Sequence, residues 1–429
     1  MQDFRYKGLL DDIDGLQTYQ ALADITTPSL RDYQCVDLLH LLAVKTFVCM
    51  YDTGLGKTFL AGGFLKALKN AKEGNKFLVF TTNAFMEGFA KEITKITGLR
   101  CVCYTESPSY VLSPVQLSSV DVVVMTHGCL NVPEHMRALS FYLNEFSAIV
   151  VDELHLVSNF NESKRGSMLQ SILSRFDYKL GLTATPITTD EQQLAKALHL
   201  INPSAVPDWK KFTLDIKNYG SSIIDPSLRD LFIVRQREFN NHKGYLLEVN
   251  PLPHQRGAKG EGMFYDTKGY GATNNHEAVY QLTQIHNGQR GLIYSNLKLV
   301  QSALCEALLE RGVKALVING DMSREKKSQL AESYRNGDYD VVITNITESI
   351  DLTSDYVVFY EYTSHVKQVI GRAERTLESK SLPIYILVTK ETDEMDYFYR
   401  NVYCKCQIVE DILDMDLSEI TKFRRGNYF

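Results

Sequence analysis

Tyr51-Asp52-Thr53-Gly54-Leu55-Gly56-Lys57-Thr58 is the stretch on which the reading of this chain turns. The apolar run Phe47-Val48-Cys49-Met50 leads into it and Phe59-Leu60-Ala61 leads out. That is the order strand, glycine loop, helix that a phosphate cradle requires. Gly54 and Gly56 let backbone N–H groups approach phosphate oxygens with no Cβ in the way, and Thr53 and Leu55 complete the cradle. Lys57 is placed to reach the β- and γ-phosphates of ATP, and Thr58 to set its hydroxyl on Mg²⁺. The following helix aims the positive end of its dipole at the anion. Tyr51 stands where the first glycine of the pattern is expected. An ordinary strand–helix turn gives no reason for a lysine at position 57.

The bulk properties bound the answer. At 429 residues the chain has room for two to three domains. Its 44% apolar and 23% charged content is that of a globular protein. No apolar run approaches the ~20 residues needed to span a bilayer. Met1-Gln2-Asp3-Phe4-Arg5-Tyr6-Lys7 is not followed by the apolar region of a signal peptide, so a cytoplasmic protein is expected. Eight cysteines spread over this length do not form a disulfide framework. The pairs Cys101/Cys103 and Cys404/Cys406 lack further ligands at metal spacing and are read as reduced thiols rather than a zinc site. With a formal charge of −6, a nucleic-acid partner requires a local basic groove.

Short apolar runs alternate with helical stretches along the first 200 residues. Phe77–Phe80, Val122–Met125, Ala148–Val151 and Lys179–Leu182 read as buried parallel strands, with Ala84–Thr97 and Ser167–Arg175 as helices between them. The rhythm returns with Gly291–Tyr294, Ala315–Ile318, Val341–Thr344, Val357–Tyr360 and Ile384–Val388, joined by helices at Val300–Arg311 and Arg324–Asn336. The fold class is therefore α/β, with two parallel sheets flanked by helices. Between them, Pro203, Pro207 and Pro226 punctuate the chain, and residues 257–271 hold five glycines that read as a mobile loop. The expected organisation is a first lobe at 1–205, a connecting region at 206–285 and a second lobe at 286–429.

Further motifs carry chemistry. Ile149-Val150-Val151-Asp152-Glu153-Leu154-His155 puts two carboxylates directly after a buried strand, a costly arrangement unless they face a site. Asp152 would hold Mg²⁺ and Glu153 would orient and deprotonate an attacking water. The bland alternative is a pair that caps a helix. Gly181-Leu182-Thr183-Ala184-Thr185-Pro186 follows another strand, and its hydroxyls could bond Asp152 or His155 and so report nucleotide state. Taken alone it is a turn. Leu30-Arg31-Asp32-Tyr33-Gln34 begins a helix; Gln34 could pair with an adenine edge, or simply be solvated. Gln368-Val369-Ile370-Gly371-Arg372-Ala373-Glu374-Arg375 sets two arginines three apart on one helical face. They could stabilise a transferring phosphoryl group or be an ordinary surface pair.

These blocks, in this order, resemble a helicase of superfamily two. Within it the chain is most similar to Swi/Snf-type double-stranded DNA translocases. The likeness rests on Leu30–Gln34, Tyr51–Thr58, Asp152–His155, Thr183–Thr185, Leu194–Phe212 with Trp209, Phe232–Arg237, Thr344–Leu352 and Gln368–Arg375. The resemblance implies two RecA-like lobes with ATP in the cleft between them. It implies ATP contacts by Arg31, Gln34, the phosphate loop and Gln368, and catalysis by Lys57, Asp152, Glu153, Arg372 and Arg375. It also implies coupling through His155, Thr183, Thr185 and Asp351. DNA would lie along Thr82, Thr126, Thr344 and the basic segment with Arg235 and Arg237. The chain departs from the pattern at Glu374, at Thr376, and at Ile346–Leu352, which lacks the usual glycines. Its compactness, without a chromatin-reading or nuclease module, points to a phage or other mobile-element protein acting in a host cytoplasm. Two other readings stay open: an RNA helicase, and a nucleotide-dependent clamp without turnover.

Overall fold

A strand buried on both faces must be apolar at every position, whereas one with a wet face alternates. The short runs read above are of the first kind, and the computed structural model shows why. It describes residues 30–52, 54–107, 112–184, 191–219, 230–235, 243–250, 274–346, 350–361, 366–373, 382–390 and 424–426. The chain divides into two units, residues 1–237 and 238–429.

The first unit holds seven strands, β1 (Thr46–Tyr51), β2 (Phe77–Thr81), β3 (Cys101–Tyr104), β4 (Val122–Thr126), β5 (Ala148–Val151), β6 (Tyr178–Thr183) and β7 (Phe232–Arg235). Their order is β3-β4-β2-β5-β6-β1-β7, and every pairing is parallel. Phe47, Cys49 and Tyr51 of β1 pack into one core with Val79, Val124, Val150 and Leu180. That core is closed by helix α1 (Asp32–Val44) and by helix α2 (Lys57–Asn70), through Leu38, Leu60, Phe64 and Leu68. Val48 and Met50 alternate to the opposite face and are buried as well.

The second unit repeats the plan with β8 (Lys243–Val249), β9 (Gly291–Tyr294), β10 (Ala315–Ile318), β11 (Val341–Thr344), β12 (Tyr356–Phe359), β13 (Pro383–Thr389) and β14 (Arg424–Gly426). The order is β10-β11-β9-β12-β13-β8-β14, again parallel throughout. Leu292, Val342, Val357 and Ile384 pack on one face, and Ile293, Val341, Ile343 and Val358 on the other. Two parallel sheets flanked by helices are the architecture expected of two RecA-like lobes.

The stretch 206–285 does not stand apart as a connecting region among the described residues. β7 pairs with β1 in the first sheet, and β8 pairs with β13 in the second. The helix Asn274–Ile285 packs its Ala278, Val279 and Leu282 into the second core. Prolines and glycines mask these contributions in the sequence, because the strands between them are edge-proximal and more polar than central ones. The glycine-rich 257–271 lies outside the described residues.

Candidate nucleotide site

In a parallel sheet all strand ends of one sense lie along one edge, and loops from that edge build the site. Tyr51, Thr81, Val151 and Thr183 end β1, β2, β5 and β6 on this shared edge. The phosphate loop leaves β1 with Gly54 at φ 86° and Gly56 at φ 81°. Gly56 is doubly constrained: its backbone is left-handed, and a Cβ there would lie 2.6 Å from Gln34 Nε2. Helix α2 then starts at Lys57, so its unpaired first-turn amides face the loop. Lys57 Nζ donates to the Tyr51 carbonyl at 2.9 Å, which holds the ammonium over the loop. Thr58 is the next residue on the helix and is half-buried. Glycines in left-handed geometry, a helix N-terminus and a lysine folded onto the loop together fit a polyphosphate. Thr53 lies outside the described residues.

The acidic pair sits two strands away. Asp152 is buried, and its Oδ2 accepts from Thr81 Oγ1 at 2.8 Å. Burial, followed by the adjacent charge of Glu153, pushes the Asp152 carboxyl well above the usual carboxylate range; Thr81 and Lys57 pull it back only in part. Such a carboxyl is suited to a divalent cation, whose charge would favour the ionised form. Glu153 has φ 48° and ψ 50°, a left-handed conformation that costs a residue with a Cβ about 1 kcal/mol or more. His155 Nδ1 lies 2.9 Å from Thr183 Oγ1 and 3.5 Å from Glu153 Oε2. The expected link between the acidic block and the Thr-Ala-Thr block is thus formed through Thr183. Thr185 lies outside the described residues.

Two supporting residues were not legible in the sequence. Thr81 ends an apolar strand and gives no sign of a carboxylate partner. His127 follows β4 and is buried, with its ring hydrogen-bonded to the Asp152 main chain. Burial lowers its pKa to about 4, so it is neutral at physiological pH.

Gln34 sits against the phosphate loop. It is 2% exposed, and its Nε2 donates to the carbonyls of Leu55 and Gly56, both at 3.1 Å. Its Oε1 accepts from the Arg31 amide at 3.0 Å. The side chain braces α1 against the phosphate loop. Arg31 is exposed, and its guanidinium donates to the Tyr33 hydroxyl at 3.3 Å.

Several of the nucleic-acid candidates have partners within their own unit. Arg235 is paired with an acid: its Nε and Nη2 donate to Asp37 Oδ2 and Oδ1 at 3.0 and 2.6 Å. Asp37 is fully buried, so the guanidinium is committed to neutralising it. Thr126 and Thr344 are fully buried at their strand ends. Thr126 Oγ1 lies 3.4 Å from Cys129 Sγ, and Thr344 Oγ1 accepts from the Ile346 amide at 2.9 Å. Thr82 follows β2 and is half-buried. Arg237 lies outside the described residues, as does Arg375.

In the second unit, Arg372 is buried in the last turn of the helix Val366–Ala373, and Gln368 belongs to the same helix. Asp351 accepts from the Thr353 hydroxyl at 2.7 Å and lies 3.6 Å from Arg335. Among the described residues no helix is long and apolar enough to cross a membrane.

Residues 45–231 match the SNF2-related domain, and residues 274–378 match the helicase conserved C-terminal domain. The chain is 29% identical over 188 residues to the ATP-dependent helicase FUN30 of Saccharomyces cerevisiae, covering 41% of this chain and 16% of FUN30. It is 20% identical over 481 residues to MJ1505 of Methanocaldococcus jannaschii, an ATP-dependent RNA helicase by its name, covering 88% of this chain and 60% of MJ1505. The chain therefore spans less than two thirds of either relative. A solved SWI2/SNF2 ATPase core from Sulfolobus solfataricus, in complex with double-stranded DNA, is 16% identical with a TM-score of 0.46, covering 94% of this chain and 96% of that one. The SNF2-related domain spans the phosphate loop, the acidic pair and the segment up to β7, and the helicase C-terminal domain follows it: the chain carries an SNF2-related domain followed by a helicase conserved C-terminal domain.

Proposed function

We propose that this protein is an ATP hydrolase that moves along DNA, acting on duplex or branched substrates from the cytoplasm. The observation that carries the nucleotide half is the shared strand edge. It sets a two-glycine loop, Lys57 at a helix N-terminus and the buried Asp152 within one unit. Lys57 would leave the Tyr51 carbonyl for the phosphates, where its charge offsets that of the transferring group. Thr58 and Asp152 would hold Mg²⁺, which when bound neutralises phosphate charge. Glu153, set in its left-handed turn beside His155, would orient the attacking water and take its proton. Arg372 would add charge stabilisation that matters only in the transition state. Arg375 is the second candidate for that role.

The DNA half rests on the SNF2-related match, which reaches through residue 231 and includes the blocks around Pro203 and Trp209. The name of MJ1505 favours RNA as the second reading. ATPase assays of the purified protein with duplex DNA, single-stranded DNA and RNA separate the two. Stimulation by duplex DNA above the other polymers supports the proposal. Stimulation by RNA alone would replace it with the RNA helicase, and nucleotide-dependent binding without turnover would replace it with a clamp.

A further inference from the structure

Tyr51 occupies the position where a glycine is expected, and its surroundings account for a large side chain there. Tyr51 is fully buried, and its hydroxyl donates to Asp37 Oδ2. Burial, then the neighbouring Cys49 and Asp37, push the phenol far up from its usual range, so it stays a donor. Asp37 would be a costly buried charge on its own. Arg235 supplies the counter-charge in a two-point pair, and its guanidinium also lies 5.7 Å from the centre of the Tyr33 ring. Tyr33 meets Tyr51 edge-on at 5.8 Å. Its own hydroxyl donates to the Leu55 carbonyl at 2.7 Å.

The cluster therefore reaches the phosphate loop at both ends. At one end is Tyr51, whose carbonyl holds Lys57; at the other is Leu55, through Tyr33. Arg235 adds a main-chain tie, because its carbonyl accepts from the Asp52 amide at 3.0 Å. We propose that Asp37 is a positioning residue for nucleotide binding: it clamps Tyr51 and Arg235 so that the loop is held open for a polyphosphate. The inference rests on the ATP reading proposed above.

A clamp that shapes the loop before phosphate arrives acts on ground state and transition state alike, so its loss raises KM more than it lowers kcat. The test is steady-state ATP hydrolysis with saturating duplex DNA, with thermal unfolding followed in parallel. Wild type, Tyr51→Phe, Asp37→Asn, Arg235→Lys and Arg235→Ala are compared, with Lys57→Ala as the inactive control. Tyr51→Phe and Asp37→Asn should raise KM for ATP by about tenfold, the effect of losing one hydrogen bond to a charged group. Their kcat should stay within about threefold of wild type. Arg235→Lys should recover part of what Arg235→Ala loses.

In duplex binding from low to moderate salt, Arg235→Ala should keep the wild-type slope, whereas a phosphate contact would reduce it by about one unit. Lower melting temperatures with wild-type KM would make the cluster purely structural and overturn the inference. Tyr51→Phe removes a single oxygen and keeps the ring packing, so it decides the matter if Asp37→Asn fails to fold. If wild type turns over ATP and Lys57→Ala does not, a wild-type KM in Tyr51→Phe defeats this inference alone. No turnover by wild type would overturn the nucleotide reading and this inference with it.

Discussion

Lys57→Ala leaves no hole in a core, because the lysine lies over the loop rather than beneath it. Its variant should fold with wild-type stability and lose ATP turnover by at least about 10²-fold, the scale of one lost charge-stabilising group. A folded variant with normal turnover would remove Lys57 from the site. Glu153→Gln should keep ATP binding and lose hydrolysis, since the amide preserves shape and cannot take a proton. Loss of binding in an equilibrium titration would instead make Glu153 part of the turn that builds the loop edge. Arg372→Ala should lower kcat by about 10³-fold if the residue is a full arginine finger, with a much smaller change in nucleotide affinity. The opposite split in a single-turnover and binding experiment would make it a binding residue. Residues of this kind can be proposed from sequence because phosphate chemistry demands particular types at short, fixed spacings. The pairing of Arg235 cannot, because its partner Asp37 lies 198 positions away and nothing local distinguishes a paired arginine from a solvated one. Gln34 shows the same limit: its hydrogen bonds go to the loop that Gly56 makes room for.

Elements were easier to read than their edges. The central strands of both sheets appear as continuous apolar runs because helices cover both faces. β3, β7 and β8 do not announce themselves as strands, since they stand at or next to the sheet margins and β3 and β7 are only four residues long. One element-level tie has a measurable consequence. Asp121, just before β4, accepts from Lys69 Nζ at 2.7 Å and from the Arg100 amide at 2.9 Å, so it joins the end of α2 to the start of β3. Burial alone would raise its carboxyl, but hydrogen bonds from Arg100 and then Lys69 outweigh this and hold it at about 2, below an ordinary 3.8. A carboxyl depressed in the folded state contributes stability that is present above its unfolded value and lost as pH falls through the folded one. Asp121→Asn should therefore lower stability near neutral pH by roughly 1 kcal/mol, the pair being screened where Arg100 is exposed. The gap to wild type should close between about pH 4 and pH 2. Denaturant titrations at pH 7, 4 and 2.5 check this, and a gap independent of pH would assign the loss to packing.

For the whole molecule, the alternation of strands and helices disclosed two parallel sheets, but not where one ends and the other begins. The boundary falls at residues 237 and 238, and β7 and β8 on either side of it belong to different sheets. A chain with formal charge −6 binds a polyanion only through a local positive surface, so duplex affinity should fall steeply with salt. A flat salt dependence in a binding titration would argue against a phosphate-tracking mode. A single nucleotide site, centred on Lys57, is proposed to be driven by DNA. That coupling is tested most directly by the ATP hydrolysis rate of wild type and Lys57→Ala, with and without duplex DNA. Wild type should be stimulated by duplex DNA, and Lys57→Ala should stay at background with or without it while still binding the duplex. Equal wild-type rates in the presence and absence of DNA, or hydrolysis by Lys57→Ala, would contradict the account.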